Sequence, residues 1–186
     1  MIKKFLMILF MLLVVWVPLS FAVAIDGEIS PDEYSKADVF DKGNFKLLWE
    51  FSKDTVYMAI EAKTPGWISI GFDPGKMMSK CDMILAVVND SQEIEIYDEW
   101  CRRMMGPHES DINLGGTEDL LSYAGSRHED TVIIEFSRLL DTKDVYDKAI
   151  PTSGQFKINW AYGASNDMTK KHKNAGSAKI LMEGKK

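Results

Sequence analysis

The sequence predicts an all-β protein: an antiparallel β-sandwich, immunoglobulin-like, with long ligand-binding loops. Three observations predict it. Apolar residues recur with a period of two along most of the chain, the apolar runs are short, and Gly, Pro, Asn and Asp separate them. A helical domain would repeat its apolar positions every three to four residues over longer runs.

The first element is a leader. Lys3 and Lys4 precede an almost wholly apolar stretch from Phe5 to Val17, and Pro18 to Phe21 lead to Ala22-Val23-Ala24. A charged start, an apolar core and a small-x-small site is the order of a secretory signal. Residues 1–24 are therefore expected to be removed, leaving residues 25–186 as a single exported domain, periplasmic or extracellular and soluble. The apolar core is short for a membrane span, which needs about 20 residues. The formal charge of the whole chain is −6, and loss of Lys3 and Lys4 makes the domain more acidic still. Such a balance argues against nucleic acid as a partner, because phosphate binding needs concentrated Lys and Arg.

The strands follow in order. Phe45, Leu47, Trp49 and Phe51 alternate with polar or opposite-face residues; Val56, Met58 and Ile60 repeat the pattern after a turn at Ser52 to Asp54. Trp67 to Phe72 is closed by Asp73-Pro74-Gly75, and Met83 to Val88 pairs with Glu93 to Trp100 around Asn89-Asp90-Ser91. Leu120 to Ala124, Thr131 to Phe136, Phe156 to Tyr162 and Ala178 to Met182 complete the set. Arg138 to Lys148 is expected to hold one or two helical turns, and Arg102 to Gly116 to be a long loop. Loops of that kind are where a sandwich usually binds.

Cys81 and Cys101 lie at equal distances from Ser91, so an unbulged hairpin places them opposite each other. Cross-strand Cβ separations of about 4.5–5.5 Å come close to the roughly 3.5–4.5 Å of a disulfide. A structural disulfide is expected, with free or metal-bound thiols as the alternatives.

No hydrolase nucleophile motif, phosphate loop, dinucleotide fingerprint or zinc-protease signature occurs, and no Cys-x-x-Cys-His would attach haem covalently. Independent catalysis is not expected. What remains is His108, His128 and His172, with the loop pairs Met77-Met78 and Met104-Met105. An imidazole and a thioether together can supply both axial bonds to haem iron; a loop methionine can equally fill gaps against the sandwich.

Read in order, Gly66-Trp67-Ile68-Ser69-Ile70-Gly71-Phe72-Asp73-Pro74 and Met78-Ser79-Lys80-Cys81-Asp82-Met83 resemble the central signature of the DOMON family. So do Phe136 to Thr142, Ile158 to Gly163, and His172 with Gly176, after an opening Ile25-Asp26-Gly27-Glu28-Ile29. The resemblance covers nearly all of residues 25–186. It implies a secreted sandwich whose pocket holds non-covalent b-type haem in some members, the cytochrome domain of cellobiose dehydrogenase among them, and sugars in others. In the haem-binding members a Met and a His ligate the iron. That match points to Met78, four residues before Asp82, with Met77 as its alternative, and to His172. Lys171 and Lys173 would meet the haem propionates, although lysine is itself a ligand in some related subunits. Trp67, Phe72, Trp160 and Tyr162 either line the pocket or belong to the core. The function so implied is single-electron transfer to a redox partner protein or a membrane electron-transfer complex. A carbohydrate-binding module or a haem-free partner-binding domain is the alternative.

Overall fold

The computed structural model describes residues 23–183, so the expected leader, save Val23 and Ala24, lies outside the described residues. In chain order the strands are β1 (Lys36–Phe40), β2 (Phe45–Ser52), β3 (Thr55–Lys63), β4 (Ile68–Phe72), β5 (Cys81–Val88) and β6 (Ile94–Cys101). They continue as β7 (His108–Ser110), β8 (Leu120–His128), β9 (Thr131–Leu139), β10 (Ser153–Tyr162) and β11 (Asn174–Glu183). A single helical turn, α1 (Asp111–Leu114), follows β7.

These strands form two antiparallel sheets, β1-β2-β3-β9-β8 and β11-β10-β4-β5-β6-β7, packed as a sandwich. The core lies between them. Leu47, Trp49, Met58, Ile60, Ile134 and Phe136 from the first sheet meet Ile68, Ile70, Phe72, Ile84, Ile158 and Trp160 from the second. Each large apolar side chain so buried contributes roughly 1.5–3 kcal/mol. The period of two read from the sequence is the alternation between this interface and the outside.

Two expectations are corrected. The segment after β9 is not helical. The strand runs to Leu139, and Leu140 is then tied back by its N–H to the Asp54 carbonyl (2.7 Å) and by its carbonyl to the Ile150 N–H (2.7 Å). The presumed loop 102–116 is shaped by β7, which extends the sheet beside β6, and by α1, which ends at Gly115 with φ 93°. β1 was not expected at all. It is an edge strand with two of its five residues exposed, Val39 among them, so it lacks a clear apolar alternation.

Two neighbouring strands, β4 and β5, depart from the pattern of a two-layer sandwich, being buried at every position. All eight residues of β5 are buried, including those on the face turned away from the first sheet. A third layer made of loops must therefore cover β5 on the outside, and this layer positions the candidate site.

Candidate functional site

On β5 the even-numbered residues Ile84, Ala86 and Val88 point into the core, so Cys81, Met83, Leu85 and Val87 point outward. The outward set divides into two apolar groups. Trp67, Leu85 and Val87 pack with Ala161 and Met168; Cys81, Met83 and Cys101 pack with Met78. Between them lie the outward positions of β4, Ser69 and Gly71, both buried. The face is thus an apolar floor of small and sulfur-bearing residues.

The turn joining β4 to β5 overlies one end of this floor. Three of its non-glycine residues are left-handed, Asp73 (φ 39°), Met77 (φ 57°) and Lys80 (φ 55°). A turn that sustains this must be held from outside. The holds are visible: Asn159 Nδ2 donates to the Met77 carbonyl at 2.9 Å, and Lys157 Nζ donates to the carbonyls of Pro74 (2.9 Å) and Gly75 (2.7 Å). The Met78 N–H donates to the Met104 carbonyl at 3.2 Å, which ties the turn to the loop after β6. Met78 is half-buried against the two cysteines and Met83, whereas the Met77 side chain is 54% exposed.

His172 precedes β11 at the other end of β4. The neighbouring Lys173 N–H donates to the Tyr162 carbonyl at 2.8 Å, and Tyr162 pairs with Ile68. The imidazole is half-buried and has no hydrogen-bond or ion-pair partner among the described residues. The other two histidines are committed, His108 Nδ1 to Glu99 in a short contact and His128 Nε2 to Glu28 at 2.8 Å. Lys171 and Lys173 flank His172 and are exposed.

The aromatic candidates separate by face. Trp67 is buried on the outer floor, and its indole N–H has no partner among the described residues. Its ring lies against Gly163, where an added Cβ would stand 2.3 Å from Nε1. Phe72 and Trp160 point the other way, into the core, and do not line this face. Phe72 stacks near Phe156 and beneath the Arg138 guanidinium (5.7 Å), and Trp160 stacks on Phe40 and Tyr162. Strand parity is the reason: Phe72 shares its face with Ile68 and Ile70, and Trp160 with Ile158.

Cys81 and Cys101 are register partners across β5 and β6, as the hairpin spacing predicts. The disulfide itself is not formed in this structure. Both thiols are buried and free, Cys81 Sγ turned to the Asp82 carbonyl (3.4 Å) and Cys101 Sγ to that of Arg103 (3.1 Å).

Behind β5, on the core side, is a charged group that the sequence reading missed. Arg138 is fully buried, its Nη1 2.9 Å from Asp82 Oδ2 and its Nη2 3.2 Å from Asp147 Oδ2. The guanidinium is therefore committed inside the sandwich and does not face an external anion. Asp98 and Asp111 lie close by. Burial pushes Asp98 up to about 8 and Asp111 up to about 7, with repulsion from Asp147 and Asp82 adding to it. Burial also raises Asp82, to about 6, against the pull of Arg138. The available signal was parity: Asp82 and Asp98 occupy inward positions in otherwise apolar columns.

The sequence pattern of the DOMON domain matches residues 41–163, and the chain belongs to that family. Among curated relatives, it is 26% identical over 139 residues to DBH-like monooxygenase protein 1 of Homo sapiens. That match covers 74% of this chain but only 20% of the relative, so the chain spans about a fifth of the length of the curated protein it resembles. Among solved structures, the cytochrome b domain of pyranose dehydrogenase from Coprinopsis cinerea superposes with a TM-score of 0.62 at 14% identity, covering 80% of this chain and 81% of that one. The cytochrome domain of cellobiose dehydrogenase from Myriococcum thermophilum gives 0.58 at 9% identity, covering 79% and 82%. Both likenesses establish the same sandwich fold.

Proposed function

We propose that this chain is an exported b-type cytochrome module that transfers single electrons, with haem held non-covalently on the outer face of β4, β5 and β10. The observation that carries this reading is His172. It is the one histidine of the three whose imidazole has no partner among the described residues, and it precedes β11 at the end of β4 opposite the turn that carries Met78. The two cytochrome domains of like fold support the same reading.

The residues present fit the group. Met78 offers a thioether and His172 an imidazole, a donor pair that would hold haem iron; Met77 is the alternative thioether. Ser69, Gly71, Met83, Leu85 and Ala161 provide a floor with no charged side chain. Lys171 and Lys173, exposed beside His172, suit the propionates. Bound haem supplies a one-electron couple. Met168 packs on Trp67, Leu85 and Val87 of this floor, and the Met78 N–H is tied to the Met104 carbonyl. With Met78 and His172 both committed, neither protein donor leaves a position for a substrate, which favours electron transfer over catalysis. The acidic chain would steer a basic redox partner protein.

Export is part of the proposal, through removal of residues 1–24, and so is oxidation of the opposed Cys81 and Cys101 in the receiving compartment. The test is haemin titration of the protein beginning at Ile25, followed by oxidised and reduced absorption spectra. One equivalent bound, with sharp low-spin bands on reduction, is the expected result. A folded protein that takes up no haemin would overturn it.

A further inference from the structure

A second site lies inside the sandwich, behind the floor just described and independent of it. We propose that Asp82, Asp98 and Asp147 bind a divalent, oxygen-preferring cation, calcium first, at the core end of β5 and β6.

The three residues come together by register and by a returning loop. Asp82 pairs with Trp100, and Ile84 with Asp98, so the two carboxylates are diagonal neighbours on the inward face. Asp147 enters from the segment after β9, its Oδ2 accepting from Thr142 Oγ1 at 2.5 Å. One carboxylate oxygen from each of the three lies within 4.8 Å of the other two. Calcium takes oxygen ligands at about 2.3–2.6 Å, which places opposed ligands about 5 Å apart, so such a group can close on it. The donors are all oxygen, with no His or Cys among them, which disfavours the later transition metals.

Proximity of acids alone would not make a site. The second observation is that these carboxylates are buried and incompletely satisfied. Asp82 is 0% exposed and Asp98 3%, and Oδ1 of each, like Oδ1 of Asp147, has no hydrogen-bond partner among the described residues. Asp111, 1% exposed, approaches the same group with neither carboxylate oxygen bonded. Arg138 is the cation already present. It engages Oδ2 of Asp82 and Oδ2 of Asp147, and it leaves the Oδ1 atoms untouched. One guanidinium among four buried carboxylates leaves a large excess of negative charge. An unpaired buried carboxylate is too costly to persist, so it acquires either a cation or a proton. A divalent ion held by one oxygen of each carboxylate would offset this charge and link β5, β6 and the segment after β9. Asp82 stands between Cys81 and Met83, so the ion would also brace the strand that carries the outer floor.

The test is calorimetric titration of calcium chloride into the chelator-treated protein beginning at Ile25, with magnesium chloride in parallel. Thermal unfolding is followed across the same concentrations for wild type, Asp98→Asn, Asp147→Asn and the remote control Asp130→Asn. Saturable binding near one equivalent is expected for wild type and Asp130→Asn, with a calcium-dependent rise in Tm. Asp98→Asn and Asp147→Asn should bind at least tenfold more weakly and lose the Tm response; if one fails to fold, the other decides. Absence of binding and of any Tm response at millimolar calcium or magnesium overturns the proposal, and the carboxylates then hold protons. An equal response in wild type and both site variants overturns it as well, because the ion then binds elsewhere.

Discussion

Asn159 holds the Met77 carbonyl through its Nδ2 at 2.9 Å while its Oδ1 accepts from Ser177 Oγ at 2.5 Å. One outward-facing amide on β10 thereby joins the strained turn on one side to β11 on the other. The turn bears the candidate thioether and β11 follows the candidate imidazole, so Asn159 is one link between the two ends of the site.

Asn159→Ala removes both bonds. A typical loss of about 1 kcal/mol per hydrogen bond sets the expected cost at roughly 1–2 kcal/mol, measured by urea unfolding. Haem transfer to an acceptor protein should accelerate several-fold, because the turn that carries Met78 loses one of its holds. An unchanged transfer rate would show that the turn does not hold the ligand.

The cysteine pair makes a prediction about timing. Burial, with the Asp82 carboxylate adding to it, holds the Cys81 thiol far above its ordinary value. In the folded chain that sulfur stays protonated and inert toward exchange, so the proposed oxidation of the pair would have to precede closure of the hairpin. Protein recovered from the exported fraction should lack alkylatable thiols in denaturant until a reductant is added. Cys101→Ser should cost about 2–4 kcal/mol in that oxidised background. Two free thiols in the exported protein would contradict the pairing.

His108 and Glu99 define a pH dependence. The hydrogen bond to Glu99 raises the imidazole above its ordinary value, against the opposing effect of burial. A group raised on folding stabilises the native state fully below its unfolded pKa, near 6.5, and loses that contribution as pH rises through the folded value. The pair is partly exposed, at 30% and 13%, which keeps its worth at roughly 1 kcal/mol or below. His108→Gln should therefore lower stability more at pH 5.5 than at pH 9, as read by thermal unfolding. A difference that does not change with pH would remove the charged pair from consideration.

Much of the fold was legible because burial writes itself into strand parity. The β5–β6 hairpin register follows from two cysteines and a turn, and Cys81 does face Cys101. Parity also carried information that the aromatic assignments did not use. Phe72 shares a face with Ile68 and Ile70, so it could not line the surface that Trp67 occupies. The helical turn α1 was missed because four residues are too few to leave a periodic signal. The acidic cluster was hidden for a different reason: Asp147 reaches Arg138 and the vicinity of Asp82 only when the segment after β9 folds back, a long-range event with no local pattern. The imidazole of His172 could be matched to a family position, but its lack of a hydrogen bond among the described residues belongs to the folded chain alone.

The central claim is tested most directly by reduced-minus-oxidised difference spectra, after haemin loading, of wild type, His172→Ala and His108→Ala side by side. The predicted result is sharp low-spin bands in wild type and His108→Ala, and their collapse to a high-spin or empty spectrum in His172→Ala alone. Unaltered bands in His172→Ala would contradict the assignment of the ligand, and a wild type without bands would contradict the cytochrome reading itself.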